Sequence, residues 1–458
     1  MKRLQVIVAI VVAALAVGGA VAADRGTRSF ATETDGPASS GAWFCPHGGG
    51  PAGWEVFLQI ANPGSEPASI RIRTFGATKP TPPKTMEVDP GSFIRVPVDA
   101  EGRARASMVE WFGRWVAVGW LAHAGGGEGG VAAEPCAPTS SDRWVLPDGT
   151  TEIEGNDDFV IVMNPFARAA VFSVTLFSER KDPVEQGALT DVTLRPFRSV
   201  AIRLNEVILG ERTVSSLVEV SVGRVAAATL GVSGSGGIRA AIGYPAPPPA
   251  TLIFPGGADA GRTDLVVMNA DVEAAADRVS LSGEILGTEG VQVFAGLGDA
   301  SLPPGSARTV PATTSTPSSI VLTLSGGEGA AVRRTFGVAS DQATVTGAEP
   351  AGAWVVLPAV AGKPSSPGLV LTNPGTEPVV VTLRYLAPAQ AEPVSVTIAP
   401  GTAVQAPKEF RSVAPQAAVV AVAAAGTFVA AAASYSLGRE GVASYAAALG
   451  VPIPTGSN

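Results

Sequence analysis

The chain has 458 residues, of which 46% are hydrophobic and only 16% charged, and its formal net charge is −8. This length exceeds what one hydrophobic core supports and suggests about three or four domains. The acidic balance argues against nucleic acid as a partner, because proteins that bind it present a basic face. With 54 Gly and 38 Pro residues, the chain is rich in turn formers, which favours short strands over long helices.

The N-terminal segment combines a basic start with an apolar stretch over residues 4–23. This pattern is typical of a signal peptide, and the Ala-Val-Ala triplet at 20–22 resembles a cleavage site. The stretch is also long enough to stay uncut as a membrane anchor. Both alternatives predict export of the chain that follows. We expect a leader at residues 1–23 and a linker at 24–41.

A sequence repeat follows the leader. Four apolar runs end in asparagine, at Asn62, Asn164, Asn269 and Asn373. Apolar segments that end in proline precede these runs, and turn segments such as DPGSFIRV and APGTAVQA follow them. Landmarks that recur in one order, with a period of about 100 residues, indicate tandem modules. The four predicted modules are residues 42–141, 142–249, 250–350 and 351–458.

Short strands fill each predicted module. Apolar runs of strand length alternate with Gly- and Pro-containing turns, most clearly in the fourth copy. In VVVTLRYL (379–386) one face carries Val381, Leu383 and Tyr385, while the other face ends with Leu386. The sequence therefore predicts an all-β fold, a tandem array of four Ig-like or fibronectin-like antiparallel β-sandwich modules after an N-terminal hydrophobic leader helix.

The Asn-Pro pairs predict tight corners between strands. The pairs are Asn62-Pro63, Asn164-Pro165 and Asn373-Pro374, the last followed by Gly375. In such a corner the Asn side chain bonds the backbone two residues on, Pro fixes φ near about −65°, and Gly375 supplies a positive φ. The third copy has Ala270 in place of Pro, so we expect a differently built corner there. We interpret the motif as a structural turn.

Both cysteines and both histidines lie in the first module. Cys45 belongs to its first predicted strand and Cys136 follows its last, so an exported chain would join them in a disulfide. Two Cys and two His also make a complete zinc set, so Cys45, His47, His123 and Cys136 form an alternative metal site. The disulfide is favoured, because Cys-x-His lacks the usual spacing of zinc ligands. We expect no metal.

Tryptophans are concentrated in the same module. If WFGRWVAVGW (111–120) is one strand, Trp111 and Trp115 share a face and Trp120 lies on the other. At least one ring then points away from the core, where it could stack on a sugar or a partner protein. Trp111, Trp115 and Trp120 are therefore a candidate ligand or partner surface. Ordinary core packing is the alternative.

Enzyme signatures are weak throughout the sequence. The glycine-rich segments at 125–130 and 233–237 lack the Lys-Ser/Thr pair of a phosphate loop. The acidic segment at 155–159 lacks the spacing of a calcium loop. Neither histidine adjoins a Gly-x-Ser-x-Gly elbow, so a hydrolytic triad has no evident general base. We expect no catalytic residues and no cofactor.

The basic apolar start, the W-x-L-P segments, the Asn-Pro corners and the glycine-rich closing hairpins resemble an uncharacterised actinobacterial envelope family of unknown function. The resemblance spans nearly the whole chain after the leader. It implies export and repeated sandwiches, and it implies no activity.

These features predict a non-enzymatic protein of the cell envelope that acts outside the cytoplasm, membrane-anchored or secreted, as a scaffold or binding module. The expected partners are envelope polysaccharide or envelope proteins, and the membrane through the N-terminal segment; nucleic acid is not expected. A cell-wall carbohydrate-binding protein that uses the Trp-rich first module is the alternative. An accessory envelope hydrolase is a third hypothesis.

Overall fold

The computed structural model describes residues 40–454 with short gaps. The gaps are residues 79–80, 126–127, 235–236, 257–261, 274–275, 298–299, 313, 315–316, 338–340, 361–362, 390 and 438–442. The predicted leader and nearly all of the predicted linker lie outside the described residues. The sequence predicts a linker that extends to residue 41, but the first strand already begins at Ser40. Residues 39–458 form one compact unit by themselves.

Antiparallel strands make up almost all regular structure of the described residues, which confirms the predicted all-β class. The helical segments among these residues are one α-helix, α1 (Lys408–Val413), and two 3₁₀ turns, Gly187–Leu189 and Leu204–Glu206. None of them approaches the length and apolar character that a bilayer crossing requires.

The strands fall into four successive groups, which we call modules 1 to 4. Module 1 has β1 Ser40–Cys45, β2 Glu55–Asn62, β3 Ala68–Phe75, β4 Lys84–Val88, β5 Ser92–Val98, β6 Ala106–Phe112, β7 Ala117–His123 and β8 Val131–Pro135. Module 2 has β9 Arg143–Leu146, β10 Asp157–Asn164, β11 Ala170–Ser178, β12 Val184–Glu185, β13 Val192–Leu194, β14 Arg198–Arg203, β15 Val214–Val222, β16 Ala226–Val232, β17 Ile238–Ile242 and β18 Tyr244–Pro245. Module 3 has β19 Thr251–Gly256, β20 Thr263–Asn269, β21 Val279–Gly287, β22 Gly290–Val293, β23 Ser301–Leu302, β24 Ser306–Ala312, β25 Ser318–Ser325, β26 Gly329–Phe336 and β27 Gln342–Thr346. Module 4 has β28 Ala353–Val356, β29 Lys363–Asn373, β30 Val379–Tyr385, β31 Val394–Ile398, β32 Thr402–Gln405, β33 Val419–Ala423, β34 Val429–Leu437, β35 Ala443–Leu449 and β36 Val451–Pro452.

Every module has the same sheet topology. We label its successive strands a to h; β12 and β13 share position d in module 2, as do β22 and β23 in module 3. One sheet has the order a-f-c-d and the other the order e-b-g-h, with antiparallel pairing throughout. After strand h the chain returns to pair with strand a, through β18, β36 or a single bridge such as Phe44–Ala137. These closing segments, residues 136–139, 243–249, 347–351 and 450–454, connect the two sheets.

The modules are consecutive in sequence, but their contacts form a closed ring. In modules 3 and 4, strand e lies against strand c of the module before. Strand e of module 2 bonds the end of strand c in module 1, where the Ser199 N–H donates to Gly76 O at 3.2 Å. The junctions between modules 2 and 3 and between 3 and 4 also carry hydroxyl pairs, Thr213 with Thr309 at 2.7 Å and Ser319 with Thr372 at 2.6 Å.

The ring closes between modules 4 and 1 in the same way. The Phe93 N–H, on strand e of module 1, donates to Ala387 O at 2.8 Å, and the Ala387 N–H donates to Gly91 O at 2.9 Å. The buried Gln59 side chain donates to Pro358 O at 2.8 Å. A tandem array therefore folds back on itself, since its first module occupies the position that a fifth module would take.

Four h strands meet at the centre of the ring. Strand β8 contacts β17 and β35, and β27 contacts the same two strands. Their facing residues are largely alanines, Ala132, Ala133, Ala240, Ala343, Ala446 and Ala447, and they leave no room for a water molecule. Small side chains let four backbones approach closely. Strands g are buried on both faces, as the run of seven buried residues in β7 and in β16 shows, which explains why the sequence is Ala- and Val-rich there.

The outer sheets show the alternation that a half-exposed strand requires. In β30, Val379, Val381, Leu383 and Tyr385 are buried and the residues between them are exposed. Leu386 was expected to share the polar face. It is instead fully buried against the core of module 1, because the junction between modules 4 and 1 covers it.

Candidate binding cavity

The four asparagine corners have one geometry. Each Asn is fully buried, and its side-chain oxygen accepts the N–H of the residue two positions on. In Asn373 this bond is 2.9 Å long, and the side-chain amide donates to Glu377 O and Ile398 O at 2.8 and 3.1 Å. The side chain thus satisfies backbone groups that the corner leaves without partners. Asn62, Asn164 and Asn373 are structural, as the sequence predicts.

Two details of the corner differ from expectation. Gly375 does not have a positive φ; its N–H bonds Asn373, and a Cβ there would lie 3.2 Å from the Asn oxygen. The third corner keeps the same bond, from the Asp271 N–H to Asn269 Oδ1 at 3.2 Å, although Ala270 replaces Pro. The Asn side chain therefore defines this turn, and Pro63, Pro165 and Pro374 accompany it.

A disulfide joins Cys45 and Cys136, with the sulfur atoms 2.06 Å apart. It connects the end of strand a to the closing segment of module 1. The zinc alternative is excluded because both thiols are consumed. His47 is buried with its ring nitrogens 2.6 Å from Gly48 O and 2.9 Å from Ser107 Oγ, and burial lowers its pKa to about 4. No cluster of metal-ligating side chains occurs among the residues that the structure describes.

The predicted tryptophan surface is only partly correct. A turn at Gly113, where φ is +84°, divides 111–120, so this stretch is not a single strand. Trp111 lies on β6 with 6% exposure and Trp120 on β7 with 1%, in different sheets. Trp120 is core, and the prediction that it forms a surface is wrong. Trp115, in the connection between these strands, is half-buried.

Trp111 and Trp115 line a large cavity at one end of the central strands. Its volume is about 760 Å³. All four closing segments contribute to the lining, together with strand a of module 1 and four tryptophans, Trp43, Trp111, Trp115 and Trp144. Exposed prolines, among them Pro138, Pro245, Pro247, Pro452 and Pro454, form much of the rim. We call this the axial cavity.

Aromatic rings shape the wall that module 1 contributes. The rings of Trp43 and Trp115 meet edge to face, with centroids 6.1 Å apart. The Trp111 indole packs closely on Gly41, where a Cβ would be only 2.7 Å from the ring. Glycine is therefore required at position 41 for Trp111 to take this position. Cys136 lies beside these rings, so the disulfide holds the wall to the closing segment.

Three aromatic side chains of the lining have their polar atoms engaged within the protein. The indole N–H groups of Trp43 and Trp144 donate to Val116 O and Val225 O, both at 2.8 Å. The Tyr244 hydroxyl donates to Ala331 O and accepts the Gly347 N–H, both at 2.7 Å. Because these groups are satisfied within the protein, the wall that they present to the cavity is apolar.

A model of a family of unknown function, DUF5719, matches residues 111–352, more than half of the chain. The chain belongs to this family. No curated protein matches it. The sequence-based resemblance is thus confirmed at the level of a family without an assigned function. The DUF5719 match begins on β6 and ends just before β28, so it contains every strand of modules 2 and 3 and omits Trp43 and residues 449–454 of the cavity.

The most deeply buried ion pairs among the described residues of this DUF5719 chain lie at a junction between modules, outside the cavity. Asp148 bonds Arg239 Nε at 3.0 Å, Arg334 Nη2 at 2.5 Å and Thr344 Oγ1 at 3.1 Å. Arg239 also pairs with Asp158. Burial acts to raise the pKa of Asp148, but the two guanidinium groups outweigh it and lower the pKa to about 2. The network joins module 2 to module 3.

One buried carboxylate has no such support. Glu134, on β8, is 2% exposed, no side chain among the described residues bonds its two oxygens, and the backbone of Ile242 alone favours its charged form. Burial raises its pKa well above the ordinary value, and the nearby charge of Asp148 adds to this effect.

Sequence patterns alone do not identify the closing segments as part of a site. They carry a signal, because a proline follows each strand h at a similar distance, at Pro138, Pro245, Pro350 and Pro452. The signal resembles ordinary loop composition, so the sequence does not indicate that the four segments meet.

Proposed function

We propose that the protein is a non-enzymatic binding protein of the cell envelope and that its binding site is the axial cavity. One observation carries this proposal: a cavity of about 760 Å³ to which all four modules contribute. Binding sites for small molecules usually measure about 300–1,000 Å³ and are mostly apolar. A site at the centre of the ring also gives closure between modules 4 and 1 a functional consequence, because an open string would lack it.

The chemistry of the lining favours binding over catalysis. Glu349 is its one carboxylate, and Cys136 is held in the disulfide. Tyr244 is engaged on both sides of its hydroxyl, and burial raises its pKa. A hydrolase needs a nucleophile with a base, or two carboxyl groups at a defined separation. The described lining offers neither, which supports a binding protein over an accessory hydrolase.

Two features support a place in the envelope. A disulfide persists in oxidising compartments, so the Cys45–Cys136 bond agrees with export. The basic and apolar segment at residues 1–23 has the pattern of an export signal or an anchor. We propose an extracytoplasmic protein, tethered or released according to whether that segment is cleaved.

A carbohydrate-binding face on module 1 is less favoured. Such a face needs exposed rings with hydrogen-bonding side chains around them. Trp111 and Trp120 are buried, and the cavity next to Trp115 is lined mainly by Pro, Gly and Ala.

Scaffolding of envelope proteins is the second candidate. The edge strand β22 carries Val291 and Val293 with exposures of 54% and 85%. Exposed apolar edges are places where a partner strand can pair.

The test uses residues 24–458, produced with the disulfide formed. Envelope extract is separated into lipid, polysaccharide and protein fractions, and each is tested for a shift of the melting temperature. Ala351→Phe places a ring in the cavity lining, and Ala167→Phe, in an exposed corner, is the matched control. We expect one fraction to stabilise the parent protein and the control but not Ala351→Phe. If every fraction acts equally on all three proteins, the proposal is wrong.

A further inference from the structure

We propose, resting on the function proposed above, that the occupant of the axial cavity is the apolar chain of an uncharged membrane amphiphile, such as a neutral acyl or isoprenoid lipid. The ligand's chain would lie between the tryptophans and its uncharged head group at the proline rim.

The wall offers few donors to a polar ligand. The polar atoms of Trp43, Trp144 and Tyr244 already form hydrogen bonds with backbone groups. The closing segments are rich in proline, which has no backbone N–H to donate. A sugar ring that entered the cavity would leave many hydroxyls without partners, and each such loss is costly. An aliphatic chain has no hydrogen bonds to lose there, and its transfer from water to an apolar wall is favourable.

The charge of the lining opposes an anionic head group. Glu349 is exposed at the cavity and is the one carboxylate among the lining residues, which include no Lys or Arg. A fatty acid or a phospholipid would bring a second negative charge to a protein whose net charge is already −8. Like charges repel, so a neutral head group is favoured.

Size and shape are compatible with a chain. The volume of about 760 Å³ exceeds what one small ring needs. The Trp111 ring packs on Gly41 and borders the cavity, and Trp115 stands against Trp43 at an interplanar angle of 64°. Flat aromatic walls make extensive contact with a flexible aliphatic chain without requiring one orientation.

The cavity lies within reach of a membrane if the leader is an anchor. Strand β1 begins at Ser40, and Gly41 already lines the cavity. Residues 24–39 separate this point from the apolar stretch. These 16 residues span at most about 55 Å when fully extended. If the leader stays uncut, the linker is long enough to let the rim reach the bilayer surface.

Quenching of tryptophan fluorescence by bromine tests this inference, because four of the seven tryptophans line the cavity. Residues 24–458 are titrated with dibromostearoyl glycerol below its micelle concentration, beside dibromostearate and the unbrominated glyceride. We expect the brominated glyceride to cause a saturable loss of roughly half the emission, and the anionic acid to bind about tenfold more weakly. Ala351→Phe should abolish the effect and Ala167→Phe should retain it. Glu349→Gln should reduce the difference in affinity between the brominated glyceride and the brominated fatty acid.

The outcomes separate the two proposals. If the fatty acid binds as well as the glyceride, the head group is not selected and the inference fails. If no brominated amphiphile quenches the emission but an oligosaccharide or a Pro-rich peptide raises the melting temperature of all but Ala351→Phe, the cavity binds another class of ligand. The proposed function then stands without the lipid. If no probe acts on the cavity, and the envelope fractions also fail, both proposals fall.

Discussion

Within one repeat, the asparagine corners are the same in every module, whereas the module junctions differ from copy to copy. At the corners, four modules use one side chain with one hydrogen-bond pattern. Near the junctions, the residue that follows the proline at the end of strand a differs in every copy: His47, Asp148, Gly256 and Ala359. His47 is bonded within module 1, whereas Asp148 bonds Arg334 of module 3. Each module needs its own corner to fold, but each junction has a different neighbour to fit.

The largest effect should come from the charged junction. Asp148→Ala leaves Arg239 and Arg334 buried without their shared partner, and we expect a loss of about 3–5 kcal/mol in the free energy of unfolding. Urea denaturation of the variant and the parent measures this loss, with the exposed Asp142→Ala as control. Because the folded pKa of Asp148 is about 2, below the ordinary value of about 3.9, its contribution should disappear as the pH falls from about 4 to 2. A loss below about 1 kcal/mol would show that the junction is not held by this network.

Removal of the disulfide should have the next largest effect on stability, because the bond lies within module 1 alone. The double variant Cys45→Ala/Cys136→Ala is expected to lose about 2–4 kcal/mol, and it should also loosen the cavity wall that contains Trp43. Denaturation with and without reductant measures the first effect. Reductant should not change the double variant; if it does, the loss has another cause.

Replacing a corner asparagine should lower the free energy of unfolding by a similar amount in each module. Asn62→Ala, Asn164→Ala and Asn373→Ala each remove one acceptor and two donors that serve buried backbone groups. We expect each to cost about 1–3 kcal/mol. Urea midpoints for the three variants, measured side by side, test the comparison directly. A corner that tolerates alanine while the others do not would break the equivalence of the modules.

Glu134 should give stability a pH dependence opposite to that of Asp148. Its pKa is raised by burial, so above about pH 4.3 the unfolded chain releases a proton that the folded protein retains, and stability falls as the pH rises. Glu134→Gln cannot titrate. It should match the parent near pH 4 and exceed it by on the order of 1 kcal/mol at pH 7–8. Melting temperatures across this range measure the gap. A gap that does not change with pH would mean that Glu134 is not the titrating group.

The last prediction compares one backbone position across the modules. After strand d, a residue with positive φ occurs in each copy: Gly91, Phe197, Gly305 and Gly401. Gly91→Ala meets no close neighbour, so it should cost only the strain of this backbone conformation, about 1–2 kcal/mol. Phe197→Gly relieves that strain but loses the contact with Arg73, whose guanidinium lies 4.4 Å from the ring. We expect it to be near neutral by thermal denaturation. A large loss would show that the aromatic contact dominates.

The site was less predictable than the fold. Residue type and crowding point to Trp111 and Trp115, but the alternation of an unbroken strand wrongly predicts that Trp120 lies on a surface. Gly113 breaks that strand, and a glycine in an aromatic run does not indicate whether it is a turn or a bulge. The closing segments escaped notice because proline-containing loops are common.

Local chemistry in the sequence determined the repeat, the strand character, the corner asparagines and the pairing of Cys45 with Cys136. These features depend on short-range periodicity, on the preference of Asn and Pro for turns, and on the number of available thiols. The tertiary structure alone decided that four modules close into a ring, that Leu386 is buried, and that three of the five tryptophans of module 1 line a cavity with segments from residues 243–249, 347–351 and 450–454. Such contacts join residues more than four hundred positions apart, and they depend on the match between whole surfaces, which no local pattern records.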